Sequence, residues 1–453
     1  MSRPRVALRR LDAVAARYGY VSIALLATLA VVVVSNAARF PPGQGYDAEH
    51  HIDYLVGLVE RGAFPDRSGE YYTPPLFYAL AGVVWKVGGV VGLGQPLRLV
   101  QLFDGLLALG SAVLLLELAR IVYPGRRRLH VLALGFFVAA GVVAKTAAMV
   151  HPETLSLFLA TAALVVAALM LRDRRLGVRH AVVLGVLLGA GQLVRAFALW
   201  TFAVVLLAFV GAVLAQSPAR RALLRAGGIA AAVAILVASP WYVYQASRYT
   251  NPVFDRPQPN EALWERRPAS FYVDPGLPDV IIAPYRPHYL NRFWPTLYSD
   301  GWGDYFGFFA WNAADARGPE PAVRRELVLQ SLAGVLPTLV MAAGWLWLLG
   351  TSLRRRVRRE TPERLLVALM PLAGLAGLLY FTVSYPTADG DVIKATYMVT
   401  TVPAWALCFA LGADAVARRL PRTIRLAGLA ALVAVLLLSV RFSLYGGGLG
   451  GLL

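Results

Sequence analysis

Apolar residues occur in long unbroken runs, separated by short breaks rich in arginine or in acids. Many runs reach the ~20 residues a helix needs to cross the hydrocarbon layer of a bilayer. They are continuous, without the alternation of a β-barrel strand, so they predict helices. Twelve apolar segments are visible. Eleven predict spanning helices, at about 18–37, 99–122, 129–147, 154–171, 180–196, 198–216, 226–246, 328–350, 365–384, 395–417 and 423–441. Six basic clusters, at 3–17, 126–128, 172–179, 220–225, 354–364 and 418–425, mark cytoplasmic boundaries, so an even number of crossings must join each neighbouring pair. The twelfth segment, 75–93, breaks that count. It carries Lys86 and a Gly-Gly pair, and is expected to lie in the outer leaflet as an interfacial helix. The first run has a basic flank, is too long for a signal-peptide core and lacks a convincing cleavage site, so it predicts a retained helix.

The expected fold class is therefore an all-α polytopic membrane protein, with about 11 transmembrane helices and interfacial helices in the first outer loop. The N-terminus is expected inside and the C-terminus outside. The outer loops are 38–97, 247–327 and 385–394, with a short outer turn at 148–153. The expected divisions are 1–246, the loop 247–327, and the C-terminal helices in 328–453. No repeat of fixed period is visible, nor are matching Gly/Pro-broken helices in two halves. The tail 446–451 predicts a flexible end without chemistry.

Composition agrees: 58% of residues are hydrophobic and the mean hydropathy is +0.58, against roughly half apolar in soluble domains. The net charge of +18 follows from arginines at cytoplasmic loops and does not call for nucleic acid. Cys408 is the single cysteine, which excludes an intrachain disulfide and a cysteine-based metal site. Of 26 acids, only Asp12, Glu117, Asp173, Glu360, Glu363 and Asp414 fall on the expected inner side. Acids are weak topology determinants, so their gathering on the outer side points to a working site there.

Several segments supply candidates for that site. Y-D-A-E-H-H-I-D, 46–53, begins an amphipathic helix. Helical spacing puts Ala48, Ile52, Leu55, Val56 and Val59 on one side and Asp47, His50, Asp53, Tyr54 and Arg61 on the other. Asp47 is a candidate functional acid, with Glu49, His50 and His51 beside it; a plainer role for Asp47 is the helix N-cap. E-Y-Y-T-P-P-L-F-Y, 70–78, contains Tyr72 and a Pro-Pro pair suited to a first helical turn. K-T-A-A-M-V-H-P-E, 145–153, ends in His151 and Glu153, where an acid also suits a helix start. Arg195 stands in an apolar stretch, where a charge is costly and points to function. The loop 285–311 mixes aromatics with Arg286, His288, Arg292, Asp300 and Asp304, a composition that suits sugar stacking or lipid headgroups. Asp389 and Asp391 form a D-x-D that can hold a divalent cation, and Lys394 close by can meet a phosphate.

These features resemble the GT-C superfamily of integral membrane glycosyltransferases, above all the branch with protein O-mannosyltransferases and the lipid A aminoarabinose transferase. The resemblance rests on the early Asp47 of the first outer loop, the Pro74-Pro75-Leu76-Phe77 segment, and the short outer turn ending in Glu153. It covers roughly residues 15–250 by motif. It implies 1–246 as a catalytic module, a polyprenyl-phosphate sugar donor, and transfer at the outer face of a multi-pass bacterial plasma membrane. It implies Asp47 as general base, with Glu49 as the neighbouring alternative. Such relatives carry an Asp at the second outer turn, where this chain has His151-Pro152-Glu153, and many end in a soluble outer domain that is not seen here. The chemistry needs a carboxylate for the acceptor hydroxyl and cations for the departing phosphate. Asp47 fits the first; Arg195, Arg292 and Lys394 fit the second. In-line displacement inverts the anomeric centre. No cofactor is required, and a divalent cation is compatible with Asp47, Glu153 or the Asp389/Asp391 pair. The acceptor, whether protein, lipid or polysaccharide, is not specified. The alternatives are a membrane transporter, which predicts ionisable groups near the midplane, a lipid-modifying acyltransferase, and a zinc enzyme using His50 and His51.

Overall fold

The computed structural model describes residues 19–92, 94–215, 219–254, 258–312 and 317–446, and among them there are helices and no strands. Helix α1 is Tyr20–Arg39 and α2 is Ala48–Val56, which ends in a π-helical turn at Gly57–Arg61. Next come α3 (Leu76–Val90), α4 (Pro96–Val122), and the pair α5 (Arg127–Ala139) and α6 (Gly141–Ala148). The chain continues through α7 (Glu153–Asp173), α8 (Val178–Gln192), α9 (Ala198–Ala215) and α10 (Arg220–Arg248). Three short helices, α11 (Ala269–Val273), α12 (Asp279–Ile282) and α13 (Phe293–Trp302), occupy the long loop. The remainder is α14 (Pro321–Ser352), α15 (Arg355–Glu360), α16 (Arg364–Ser384), a 3₁₀ segment Ala395–Thr401 running into α17 (Val402–Arg419), and α18 (Arg422–Phe442).

Among the described residues, nine helical spans are long and apolar enough to cross a membrane, and ten if the bent α5–α6 pair counts as one. The expected segment 180–196 is the exception: α8 has 15 residues and stops at Gln192. The expected segment 129–147 is bent by 51° between α5 and α6. The interfacial segment is the 15-residue α3, shorter than the ~20 residues of a full span. The basic cluster 3–17 and most of the tail 446–451 lie outside the described residues.

Salt bridges collect the arginine-rich loops at one end of the bundle. Asp414 accepts from Arg126 at 2.5 Å and from Arg418 at 3.1 Å, and Glu363 pairs with Arg172 at 3.1 Å. Glycines then set how closely the helices pack. In lipid, helices associate through tight contact at small residues. A Cβ added at Gly185 would lie 2.6 Å from the Ala230 carbonyl oxygen, and one at Gly189 would lie 2.8 Å from that of Ala234. This G-x-x-x-G stripe seats short α8 against long α10. Likewise a Cβ at Gly344 would lie 2.0 Å from the Cys408 carbonyl oxygen, and one at Gly412 would lie 2.3 Å from that of Val340, so α14 and α17 cross backbone to backbone. Gly189→Val forces α8 away from α10 and should destabilise the protein by about 1–3 kcal/mol, the usual cost of overpacking. A lowered thermal midpoint in detergent checks this, and an unchanged midpoint contradicts the close approach.

Candidate functional site

The end of the bundle opposite the arginine-rich loops carries a polar cluster. Gly45 has φ 131° and lies so close to Met149 that a Cβ would meet that side chain at 2.8 Å, so glycine is needed there. Tyr46 follows, fully buried. Asp47 then adopts a left-handed φ of 52°, uncommon for a residue with a side chain. It occupies the N-cap position of α2, yet its carboxylate makes no capping bond. Its Oδ2 instead accepts a hydrogen bond from Lys394 Nζ at 2.7 Å. Burial works to raise the Asp47 pKa, but the charge and hydrogen bond of Lys394 outweigh it and hold the carboxyl at about 2. Burial opposes the charge of Lys394 in turn, and Tyr397 and Asp47 outweigh that, raising it above the usual lysine value.

Helix α2 only partly follows the expected two-sided pattern. Ala48 and Leu55 are buried, and His50, Asp53 and Arg61 are exposed, as the spacing predicts. Tyr54, expected on the polar side, is buried and stacks on Tyr78 at 3.7 Å between ring centroids. His51 is also fully buried, with Nδ1 2.6 Å from the Tyr78 hydroxyl. The reason is α3, which packs along that side of α2. Burial lowers the His51 pKa to about 4, so the imidazole is neutral at physiological pH.

A second group lies beside the first. Glu153 opens α7 fully buried, and its Oε1 accepts from Arg195 Nε at 2.6 Å. Arg195 NH1 also reaches Thr73 Oγ1 at 3.2 Å and Glu70 Oε2 at 3.4 Å. Thr73 Oγ1 and Tyr72 OH donate to Glu70 at 2.6 and 3.1 Å. The His51 and His151 rings sit 4.7 Å apart, and the His151 backbone N–H points at Asp104 Oδ2 at 3.4 Å.

A third group lies behind Tyr46. Asp300, fully buried on α13, accepts from Tyr46 OH at 2.6 Å and Lys145 Nζ at 2.7 Å through Oδ1, and from the Ala395 backbone N–H at 2.7 Å through Oδ2. Asp304 Oδ2 accepts the backbone N–H groups of Phe309 at 2.9 Å and Ala310 at 2.7 Å, and so closes the 307–310 loop.

Three cavities adjoin these groups. One of about 580 Å³ is lined by Asp47, Glu49, His50, Gln44, Phe308 and Trp311, among others. A groove of about 310 Å³ is lined by Arg195, Thr73 and Tyr397, and by a run of aromatics including Trp200, Phe254, Phe381 and Tyr385. The third, about 460 Å³, lies on the other side of the 3₁₀ segment among Ala395, Met398, Trp302, Trp345 and Trp405, and no charged residue lines it among the described residues.

The structure thus brings Asp47, Glu49, His50, His51, Tyr72, His151, Glu153, Arg195 and Lys394 to one end of the bundle, with Asp304 shaping a cavity wall. The other expected residues have partners of their own or are exposed, and Asp391 stands close enough to Lys394 to help stabilise its charge. Lys86 is exposed on α3, Arg292 pairs with Asp274 at 3.1 Å, and His288 lies 4.0 Å from Asp279. Asp389 Oδ2 binds Arg286, and its Oδ1 accepts the Asp391 backbone N–H at 3.3 Å, whereas Asp391 Oδ1 is buried without a hydrogen-bond partner among the described residues. No three His, Cys, Asp or Glu side chains converge as metal ligands among the described residues. Sequence reasoning assigned no role to Tyr46, Glu70 or Lys145, and took Asp300 only as one acid of the 285–311 loop. Lys145 was the available clue: it is one of only three lysines, set in an apolar run, and a buried ammonium requires an acid.

The fold defined by these helices is similar to that of several solved structures. Among solved structures it matches ArnT from Cupriavidus metallidurans, solved bound to undecaprenyl phosphate, with a TM-score of 0.52 and 15% identity over 91% of this chain and 63% of that one. It also matches the oligosaccharyltransferase of Archaeoglobus fulgidus tethered with an acceptor peptide, with a TM-score of 0.57 and 15% identity over 95% of this chain and 56% of that one. The same archaeal protein, AglB, solved in complex with an inhibitory peptide and a dolichol-phosphate, matches at a TM-score of 0.57 and 14% identity, again over 95% and 56%. The chain therefore spans less than two thirds of the length of these neighbours. No family model and no curated protein matches the sequence.

Two outcomes follow from the buried charges. Arg195→Met leaves Glu153 and Glu70 without their cation and should destabilise by about 3–5 kcal/mol. Adding Glu153→Gln should recover part of that loss in thermal melts; no recovery contradicts the pairing. Asp47 has a folded-state pKa below its ordinary 3.8, so its pair contributes stability above that value and loses it as pH falls through about 2. Asp47→Asn should therefore flatten the fall in thermal midpoint between pH 4 and 2; a fall as steep as that of the wild type contradicts the pairing.

Proposed function

We propose that the chain is a membrane glycosyltransferase that takes a sugar from a polyprenyl-phosphate donor and passes it to an acceptor at the outer face of the membrane. One observation carries the reading: Asp47, paired with Lys394, lines one cavity, and Tyr397, in the 3₁₀ segment that follows Lys394, lines an aromatic groove headed by Arg195. A lipid-phosphate donor needs that combination, an apolar channel for its chain ending in a cation for its phosphate. The larger apolar cavity behind the 3₁₀ segment has no such cation. ArnT solved with undecaprenyl phosphate and AglB solved with a dolichol-phosphate share the fold, and both ligands are polyprenyl phosphates.

In this mechanism an acceptor hydroxyl enters from the polar cavity. Asp47 takes its proton as the oxygen bonds to the anomeric carbon. The bond from that carbon to the phosphate oxygen breaks, and the phosphate leaves with the electron pair. Arg195 and Lys394 neutralise it, and the in-line path inverts the centre. Glu153 and Glu70 hold Arg195 in place. At rest Asp47 is a weak base, because Lys394 holds it at about 2. A bound phosphate draws Lys394 away, and the basicity of Asp47 rises where the proton must be taken. The arginine-rich loops at the far end of the bundle support a site on the outer face with the N-terminus inside, and a bacterial plasma membrane suits that arrangement. The Archaeoglobus oligosaccharyltransferase has also been solved with zinc and sulfate. Here Asp47, Glu153 and Asp389 are each bonded to a basic side chain, a donor set that does not fit a metal, so no step uses one.

Purified protein supplied with radiolabelled polyprenyl-phosphate sugars and a cell-envelope extract tests the reading. Wild type should transfer label. Asp47→Asn should lose about 10²–10⁴-fold in rate yet bind donor at least as tightly, because Lys394 is freed. Equal rates would move the base elsewhere, first to Glu49. Loss of transfer with chelator would reinstate a metal.

A further inference from the structure

The geometry points to Asp300 as the positioning residue that fixes Asp47 and Lys394 relative to each other. This inference rests on the proposed roles of that pair. Asp47 and Lys394 come from segments far apart in sequence, and neither lies inside a regular α-helix: one precedes α2 and the other precedes the 3₁₀ segment. Asp300 touches neither. It binds the residue next to each: the Tyr46 hydroxyl through Oδ1 and the Ala395 backbone N–H through Oδ2. Ala395 is the first residue of the 3₁₀ segment, where a backbone N–H lacks a partner within the helix. The carboxylate supplies that partner and so sets where the segment starts, and with it where Lys394 projects.

Lys145 holds Asp300 from behind. Its ammonium donates to Asp300 Oδ1 at 2.7 Å, to the Asp300 carbonyl at 2.9 Å and to the Gly303 carbonyl at 3.3 Å. All three ammonium protons are thereby used on one helix end. Both side chains are buried, Lys145 at 1% exposure and Asp300 at 0%, so neither charge is screened by water. The Tyr46 ring lies between the two lysines, with Lys145 Nζ 5.4 Å and Lys394 Nζ 5.5 Å from its centroid. Tyr46 is thus fixed by its hydroxyl on one side and by cations on its ring. The strained φ at Asp47 is held because the residue before it cannot move.

The chain has three lysines, which gives a readout that does not depend on transfer. Amine-reactive ester labelling of the folded protein, read by peptide mass spectrometry, should modify exposed Lys86 quickly and Lys394 slowly. Asp300→Asn alone leaves the Lys145 charge only the more distant Asp304, 4.0 Å away, and risks misfolding, so the informative variant is Asp300→Asn with Lys145→Met, in which Asp304 keeps its bonds from the Phe309 and Ala310 backbone N–H groups. If Asp300 positions the pair, this variant keeps a cooperative thermal transition and labels Lys394 severalfold faster, with Lys86 unchanged. Transfer should fall about 10²-fold, the loss expected when a reacting group shifts by about 1 Å, with donor binding retained. A folded double variant whose Lys394 stays as protected as in the wild type overturns the inference, whatever the transfer rate. If the wild type transfers no sugar but the labelling changes as expected, the glycosyltransferase reading fails and the positioning role stands.

Discussion

Everything at the working end of this protein depends on the cost of burying charge. Three cations, Lys145, Arg195 and Lys394, are held at the end of an apolar bundle, and each is bound by at least one carboxylate. An isolated ammonium or guanidinium there would be prohibitive. The three pairs are not equivalent. Lys145–Asp300 is enclosed, and all of its bonds are used on structure. Arg195 faces a groove on one side while Glu153 and Glu70 hold it on the other. Lys394–Asp47 is the most open, with the Asp47 side chain 36% exposed, and it has the freedom to exchange partners. The gradient from enclosed to open suits the proposed roles, with the enclosed pair fastening the site and the open pair carrying the proposed chemistry.

The helices serve this arrangement by ending in the right place. α7 begins at Glu153, α8 stops short before Arg195, and the span that includes α17 begins as a 3₁₀ turn after Lys394. The break at Ala140 lets Gly141 pass close to α13, where a Cβ would lie 3.1 Å from the Trp302 carbonyl oxygen. That passage delivers Lys145, one turn later, to the end of α13 and its Asp300. Close glycine contacts between α8 and α10, and between α14 and α17, give the bundle the rigidity that such placement needs.

Much of this was legible in the sequence because lipid leaves few options. Long apolar runs must be helices, and arginine-rich loops sort to one end, so the architecture and the side holding the acids could be read directly. Arg195 stood out as a charge where charge is costly, Asp47 and Glu153 by their places in the outer loops, and Lys394 by its place beside the D-x-D. What the sequence hid were relations across the fold. Nothing local shows that Asp300 meets Lys145, that Glu70 shares Arg195 with Glu153, or that Tyr54 turns inward because α3 covers that side of α2. Nor does the D-x-D spacing show that Asp389 is engaged by Arg286 and by the Asp391 backbone N–H. The 15-residue length of α8 was hidden because apolar residues continue past Gln192 through a turn.

The account turns on which cavity receives the lipid chain of the donor. An undecaprenyl-phosphate analogue with a photoreactive diazirine in its first isoprene unit measures this directly, with adducts mapped by mass spectrometry. The account predicts adducts on the aromatic groove, at Phe381, Tyr385 or Phe254, that excess undecaprenyl phosphate removes. Adducts confined to Trp345, Trp405 or Met398 behind the 3₁₀ segment, or adducts that undecaprenyl phosphate does not compete away, would contradict it.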